Sequence, residues 1–68
     1  MNDSKTFGEL KKGEVIKFNS PTVTQTFVVL GELEQPWGNY TQIQNVETLQ
    51  TESIRDYVKL EDGWSVSE

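Results

Sequence analysis

The chain of 68 residues contains no cysteine, no histidine and no alanine. Without cysteine there is no disulfide to staple a small fold and no thiol nucleophile. Without cysteine and histidine the usual zinc ligand sets and every histidine-based triad are excluded. Long apolar runs are also missing. The longest, Phe27-Val28-Val29-Leu30, is far too short to span a bilayer. The polar start, Met1-Asn2-Asp3-Ser4-Lys5, leads into no apolar stretch, so no signal peptide is expected and the chain reads as cytoplasmic. A reducing compartment fits the missing cysteine as well. No enzymatic activity, cofactor or metal is expected.

A chain this short allows one domain, residues 1–68, with 1–5 and 67–68 expected to fray. It lies near the lower size limit for stability from core burial alone. Stability must therefore come from an apolar core, from self-association or from a bound partner. The net charge is −5. Residues 1–18 balance at +1 and residues 19–68 at −6, where only Arg55 and Lys59 oppose eight acids. Such a balance disfavours non-specific phosphate binding, which needs clustered lysine and arginine. It suits solubility and a basic protein partner.

Alanine is the best helix former, whereas valine and threonine, seven of each, prefer the pleated surface. Composition thus leans to strands. After a lead-in with Phe7 and Leu10 as anchors, Gly13 opens a first strand over 14–18, with Ile16 and Phe18 on one face and Val15 and Lys17 on the other. Asn19-Ser20-Pro21 breaks it. From Thr22 to about Glu34, Val23, Phe27, Val29 and Leu33 share one parity and Thr22, Thr24 and Thr26 the other. Gly31 marks a bulge or a bend. Gln35-Pro36-Trp37-Gly38-Asn39 reads as a turn, and Tyr40 to Val46 as a third strand whose parity slips between Ile43 and Val46, at a bulge near Asn45 or at the strand's end.

Residues 46–60 carry two readings. As a helix, Val46, Leu49, Ile54, Tyr57, Val58 and Leu60 fall on one half of the wheel, with Asn45 as cap and Gly63 beyond the end. As β structure, a tight connection at Leu49-Gln50 leads into 53–60, with a 3₁₀ turn around 53–56. Threonine, valine and the lack of alanine favour the second. Asp62-Gly63 signals a hairpin that folds Trp64 to Val66 back as a last strand. The fold class expected is mainly β, a five-stranded barrel or strongly bent antiparallel sheet, with an α+β fold as alternative if 46–60 is helical.

Two stretches carry a family likeness. Glu9-Leu10-Lys11-Lys12-Gly13-Glu14-Val15-Ile16 and Ser53-Ile54-Arg55-Asp56-Tyr57-Val58-Lys59-Leu60 resemble, in pattern and order, the entry to the first long strand and the late 3₁₀ turn with its Tyr-Val strand in SH3-like small barrels. The resemblance implies a five-stranded SH3-like barrel, with Tyr57 and Trp37 where peptide-binding members keep groove aromatics. It departs from them at Ser4-Lys5-Thr6-Phe7-Gly8, where those members carry a tyrosine-rich segment. That departure speaks against a proline-rich ligand. Bacterial and viral barrels of this kind contact proteins, RNA or DNA through varied surfaces, so fold alone does not choose among them.

Trp37, Tyr40, Tyr57 and Trp64 are the most informative side chains, because tryptophan and tyrosine dominate interface hot spots. A domain this small also needs aromatics in its core, which is the competing role for Trp37 and Trp64. Among the acids, Glu32, Glu34 and Asp56 are the candidates for a negative docking surface. The first expectation is a non-enzymatic protein-binding module, such as a phage or bacterial regulator or inhibitor, acting through Trp37, Tyr40, Tyr57, Glu32, Glu34 and Asp56 on an unidentified protein partner. A nucleic-acid accessory using Lys11, Lys12 and Lys17 with the aromatics is the second. A structural subunit completed by self-association is the third. No membrane partner is expected, and the chain is expected to be a monomer or a weak homo-oligomer.

Overall fold

A computed structural model describes residues 5–60 and 63–67. The chain is mainly β. A 3₁₀ turn (Phe7–Glu9) precedes five strands, β1 (Val15–Asn19), β2 (Thr24–Gln35), β3 (Gly38–Asn45), β4 (Thr51–Arg55) and β5 (Trp64–Ser67). They form one antiparallel sheet in the order β4-β3-β2-β1-β5. The sheet is not closed into a barrel, since β4 and β5 remain its two edges. Of the ends expected to fray, 1–4 and 68 lie outside the described residues. Lys5 accepts a hydrogen bond from the Leu60 N–H at 2.8 Å, and Ser67 pairs with Val15 in the sheet.

Alternation builds the core. Ile16, Phe27, Val29 and Ile43 point to one side of the sheet and are buried there. Phe7 and Leu10, the anchors expected in the lead-in, close over them, with Phe18, Ile54, Leu60, Trp64 and Val66 packed around. A fully buried isoleucine or valine contributes about 1.5–3 kcal/mol. The lead-in is held in place by backbone bonds. Phe7 donates to the Val58 carbonyl and Gly8 to the Asp56 carbonyl, both at 2.9 Å, and Thr6 bridges antiparallel to Lys59.

One side-chain bond ties this lead-in to the sheet. The hydroxyl of Thr41, 3% exposed, donates to the Phe7 carbonyl at 2.9 Å. Thr41→Val keeps the volume but removes one of two bonds to the Phe7 carbonyl, which also accepts the Leu10 N–H at 3.1 Å, so we expect a loss of about 0.5–1.5 kcal/mol. A urea unfolding curve checks this; an unchanged midpoint would show that the bond contributes nothing.

Several expectations are corrected. Val23 lies before β2 and is exposed. Leu33 does not share the side of Val29. The β2–β3 register shifts between Val29 and Gly31, where Leu30 and Gly31 together oppose Gln42. Gly31 sits at φ 138°, and the extra residue inverts every side chain beyond it. Of the two readings of the parity slip near Asn45, a bulge or the strand's end, the strand's end holds.

The helical alternative for 46–60 does not form. Asn45, which was to cap it, is buried and its Oδ1 accepts the N–H groups of Glu47 at 2.8 Å and Thr48 at 3.1 Å. Its carbonyl accepts from Leu49 at 2.7 Å, and its own N–H donates to the Gln50 carbonyl at 2.9 Å. A helix-like start is thus turned straight back, with Leu49 in the left-handed region at φ 66°. Strand β4 then occupies Thr51–Arg55, where the 3₁₀ turn around 53–56 was expected, and the turn falls at residues 56–57. The last strand pairs with β1, not with 53–60. That placement sets Val66 opposite Ile16 and Trp64 opposite Phe18, and both Val66 and Trp64 pack against the core. Asp62, half of the hairpin signal, lies outside the described residues.

Candidate functional site

The long β2–β3 hairpin reverses through Pro36 and Trp37. Its far end carries the most exposed aromatic surface of the described residues. Trp37 is 65% and Tyr57 69% exposed. Register explains what lies between them. Tyr40 on β3 stands opposite Arg55 on β4, and directly opposed residues share a face. The Arg55 guanidinium lies 4.9 Å from the Tyr40 ring centre and 5.9 Å from that of Tyr57. Gly38, the residue after Trp37, leaves the room for it: a Cβ there would stand 2.8 Å from Nη1 of Arg55. The turn that presents Tyr57 is fixed by the Asp56 N–H donating to the Asn39 carbonyl at 3.1 Å, and by the Val58 N–H donating to the Arg55 carbonyl at 3.1 Å.

The residues expected to act together therefore separate. Tyr40 and Tyr57 meet through Arg55, and Trp37 adjoins the glycine beneath it. Glu32 and Glu34 are exposed but pair with Thr41 and Asn39, which puts them on the core side of the sheet, beyond the core's edge. Asp56 turns the same way, its Cβ lying 2.6 Å from where a Gly8 Cβ would stand. The lysines are divided too. Lys11 and Lys12 are exposed just before β1, next to a turn held by the Gly13 N–H donating to the Val29 carbonyl at 2.8 Å. Lys17 stands on the opposite side of β1 from buried Ile16. Trp64 is a core residue, its ring centre 5.0–5.6 Å from those of Phe7, Phe18 and Phe27.

Arg55 is the residue that sequence reading passed over, having counted it only as charge. Its signal was present: it is the one arginine of the chain. What the site offers is two exposed flat rings and one planar guanidinium held by aromatic faces. That is the chemistry of surface recognition. Among the described residues no group of three or more acids is placed to hold a metal ion, and no helix is long and apolar enough to cross a membrane. No protein-family model, characterised protein or solved structure matches the chain.

Proposed function

We propose that the chain is a non-enzymatic module that binds another protein through Trp37, Tyr40 and Tyr57. The exposure of Trp37 and Tyr57 beside the Tyr40–Arg55 stack carries this reading. In a domain short of apolar residues, two large rings left in water forgo core stabilisation that they would otherwise supply. Rings presented on rigid turns bury much area on binding at small entropic cost. Glu32, Glu34 and Asp56 on the other side of the same end supply a negative field that turns acidic parts of a partner away from that side. A regulator or inhibitor of phage or bacterial origin fits such a module. An SH3-like relationship belongs to the same proposal, and the five-stranded antiparallel sheet supports it.

Trp37→Ala and Tyr57→Ala should each weaken partner capture at least tenfold in quantitative pull-downs from the native host, with the melting temperature within a few degrees of wild type. Equal recovery of the same proteins by wild type and both variants would refute the reading. The melting control separates this outcome from simple unfolding.

A further inference from the structure

The five strands hold three acids, Glu32, Glu34 and Glu52, and two cations, Lys17 and Arg55. Register sorts them completely. Glu32 opposes Thr41, Glu34 opposes Asn39 and Glu52 opposes Ile43, so all three acids take the side on which Thr41 and Ile43 are buried. Lys17 opposes Thr26 and Arg55 opposes Tyr40, so both cations take the outer side. In a protein of net charge −5, the outer sheet face is free of strand acids and carries positive charge. The rest of that face mixes polar and apolar side chains, with half-exposed Gln42 and Gln44 and exposed Ser53 beside half-exposed Leu33, Tyr40, Val15 and Val28.

Resting on the protein-binding reading, we propose that this outer face takes an extended, acid-bearing segment of the partner, with a carboxylate seated on Arg55. The guanidinium is the group suited to it. Its Cζ lies 4.9 Å from the Tyr40 ring centre and 5.9 Å from that of Tyr57, and Nη1 packs close to Gly38, where a Cβ would stand 2.8 Å away. A guanidinium stacked this way keeps its donor edge for a planar, bidentate acceptor and loses little freedom on binding. The chain's own strand carboxylates are turned to the opposite side, so they do not compete for it. Charge complementarity selects an acidic over a basic segment on this face. A protein carboxylate is favoured over a nucleic acid because polyanion binding grows with the number of cations meeting phosphates, and the strands supply only two here.

The test uses three acetylated, amidated octapeptides that alternate valine with glutamate, glutamine or lysine, titrated into the isotope-labelled full chain and followed by NMR. The glutamate peptide should give saturable shifts at Tyr40, Gln42, Ser53 and the Arg55 side-chain N–H. The glutamine peptide should bind at least tenfold more weakly, and the lysine peptide not at all. Arg55→Gln should weaken the glutamate peptide at least tenfold. Arg55→Lys, which keeps the charge without the fork, should fall between. Equal binding of all three peptides, no binding of the glutamate peptide, or undiminished binding to a folded Arg55→Gln variant would overturn the proposal. So would tighter binding of an eight-nucleotide oligothymidylate. Partner capture lost in Trp37→Ala but retained in Arg55→Gln would sink this inference while leaving the binding-module reading intact.

Discussion

Trp64→Ala should be the most destabilising of the substitutions considered and lower the melting temperature by well over ten degrees. The indole sits among three phenylalanines, edge-on to Phe7 at 5.4 Å and tilted against Phe18 at 5.0 Å and Phe27 at 5.6 Å. These rings come from the lead-in, β1 and β2, so one side chain joins the sheet to the segment that covers it. Truncating a fully buried aromatic costs about 3–5 kcal/mol, and the partly buried Trp64 stands at or below that range. Stability of about 0.05–0.15 kcal/mol per residue gives a chain of this length roughly 3–10 kcal/mol in all. The loss is therefore a large share of the total. Far-UV circular dichroism and a thermal melt measure it. A cooperative melt within a few degrees of wild type would mean that the phenylalanines close the core without the indole.

Gly8→Ala should be the second most damaging of the changes considered, at about 1–3 kcal/mol. The cause is close approach of two backbones rather than conformational freedom. A Cβ at this position would stand 2.6 Å from the Asp56 Cβ and 3.0 Å from its carbonyl oxygen. Neither atom is the end of a flexible side chain. The same carbonyl accepts the Gly8 N–H at 2.9 Å, so relief of the clash stretches that bond and loosens the turn that carries Tyr57. The variant should thus lose both melting temperature and hydrogen-exchange protection at Gly8. A wild-type melt would show that the two segments can part without penalty.

The sequence showed some of this plainly and hid the rest for physical reasons. Strand β1, the Pro36-Trp37 turn and the anchors Phe7 and Leu10 follow from local alternation and turn chemistry. The place of β5 does not, because its partner β1 lies about fifty residues earlier and the apolar Ile16–Val66 and Phe18–Trp64 pairings that fix it are not local. The helical periodicity of 46–60 was genuine but lost to Asn45, whose short amide satisfies two backbone donors within one turn. At the site, Trp37, Tyr40 and Tyr57 could be named from residue type alone. Their link through Arg55 could not, since it depends on a β3–β4 register that sequence spacing leaves open. Gly31 was visible as an irregularity, yet its effect on the acids beyond it was not.

That bulge divides β2 into two phases on one continuous strand. Before it, the alternation serves the hydrophobic interior; after it, the same alternation serves the outside. Changes at Leu33 or Gln35 retune the outer face without moving Phe27 or Val29 in the core layer. The slack is a single residue, Leu30 or Gly31, that has no cross-strand counterpart of its own. Were the same residues paired without this bulge, everything distal would exchange sides. Leu33 would turn inward, and Glu32 and Glu34 would come round to the side of Arg55, where they could neutralise it. One unpaired residue thus keeps Glu32 and Glu34 on the opposite side of the sheet from Arg55.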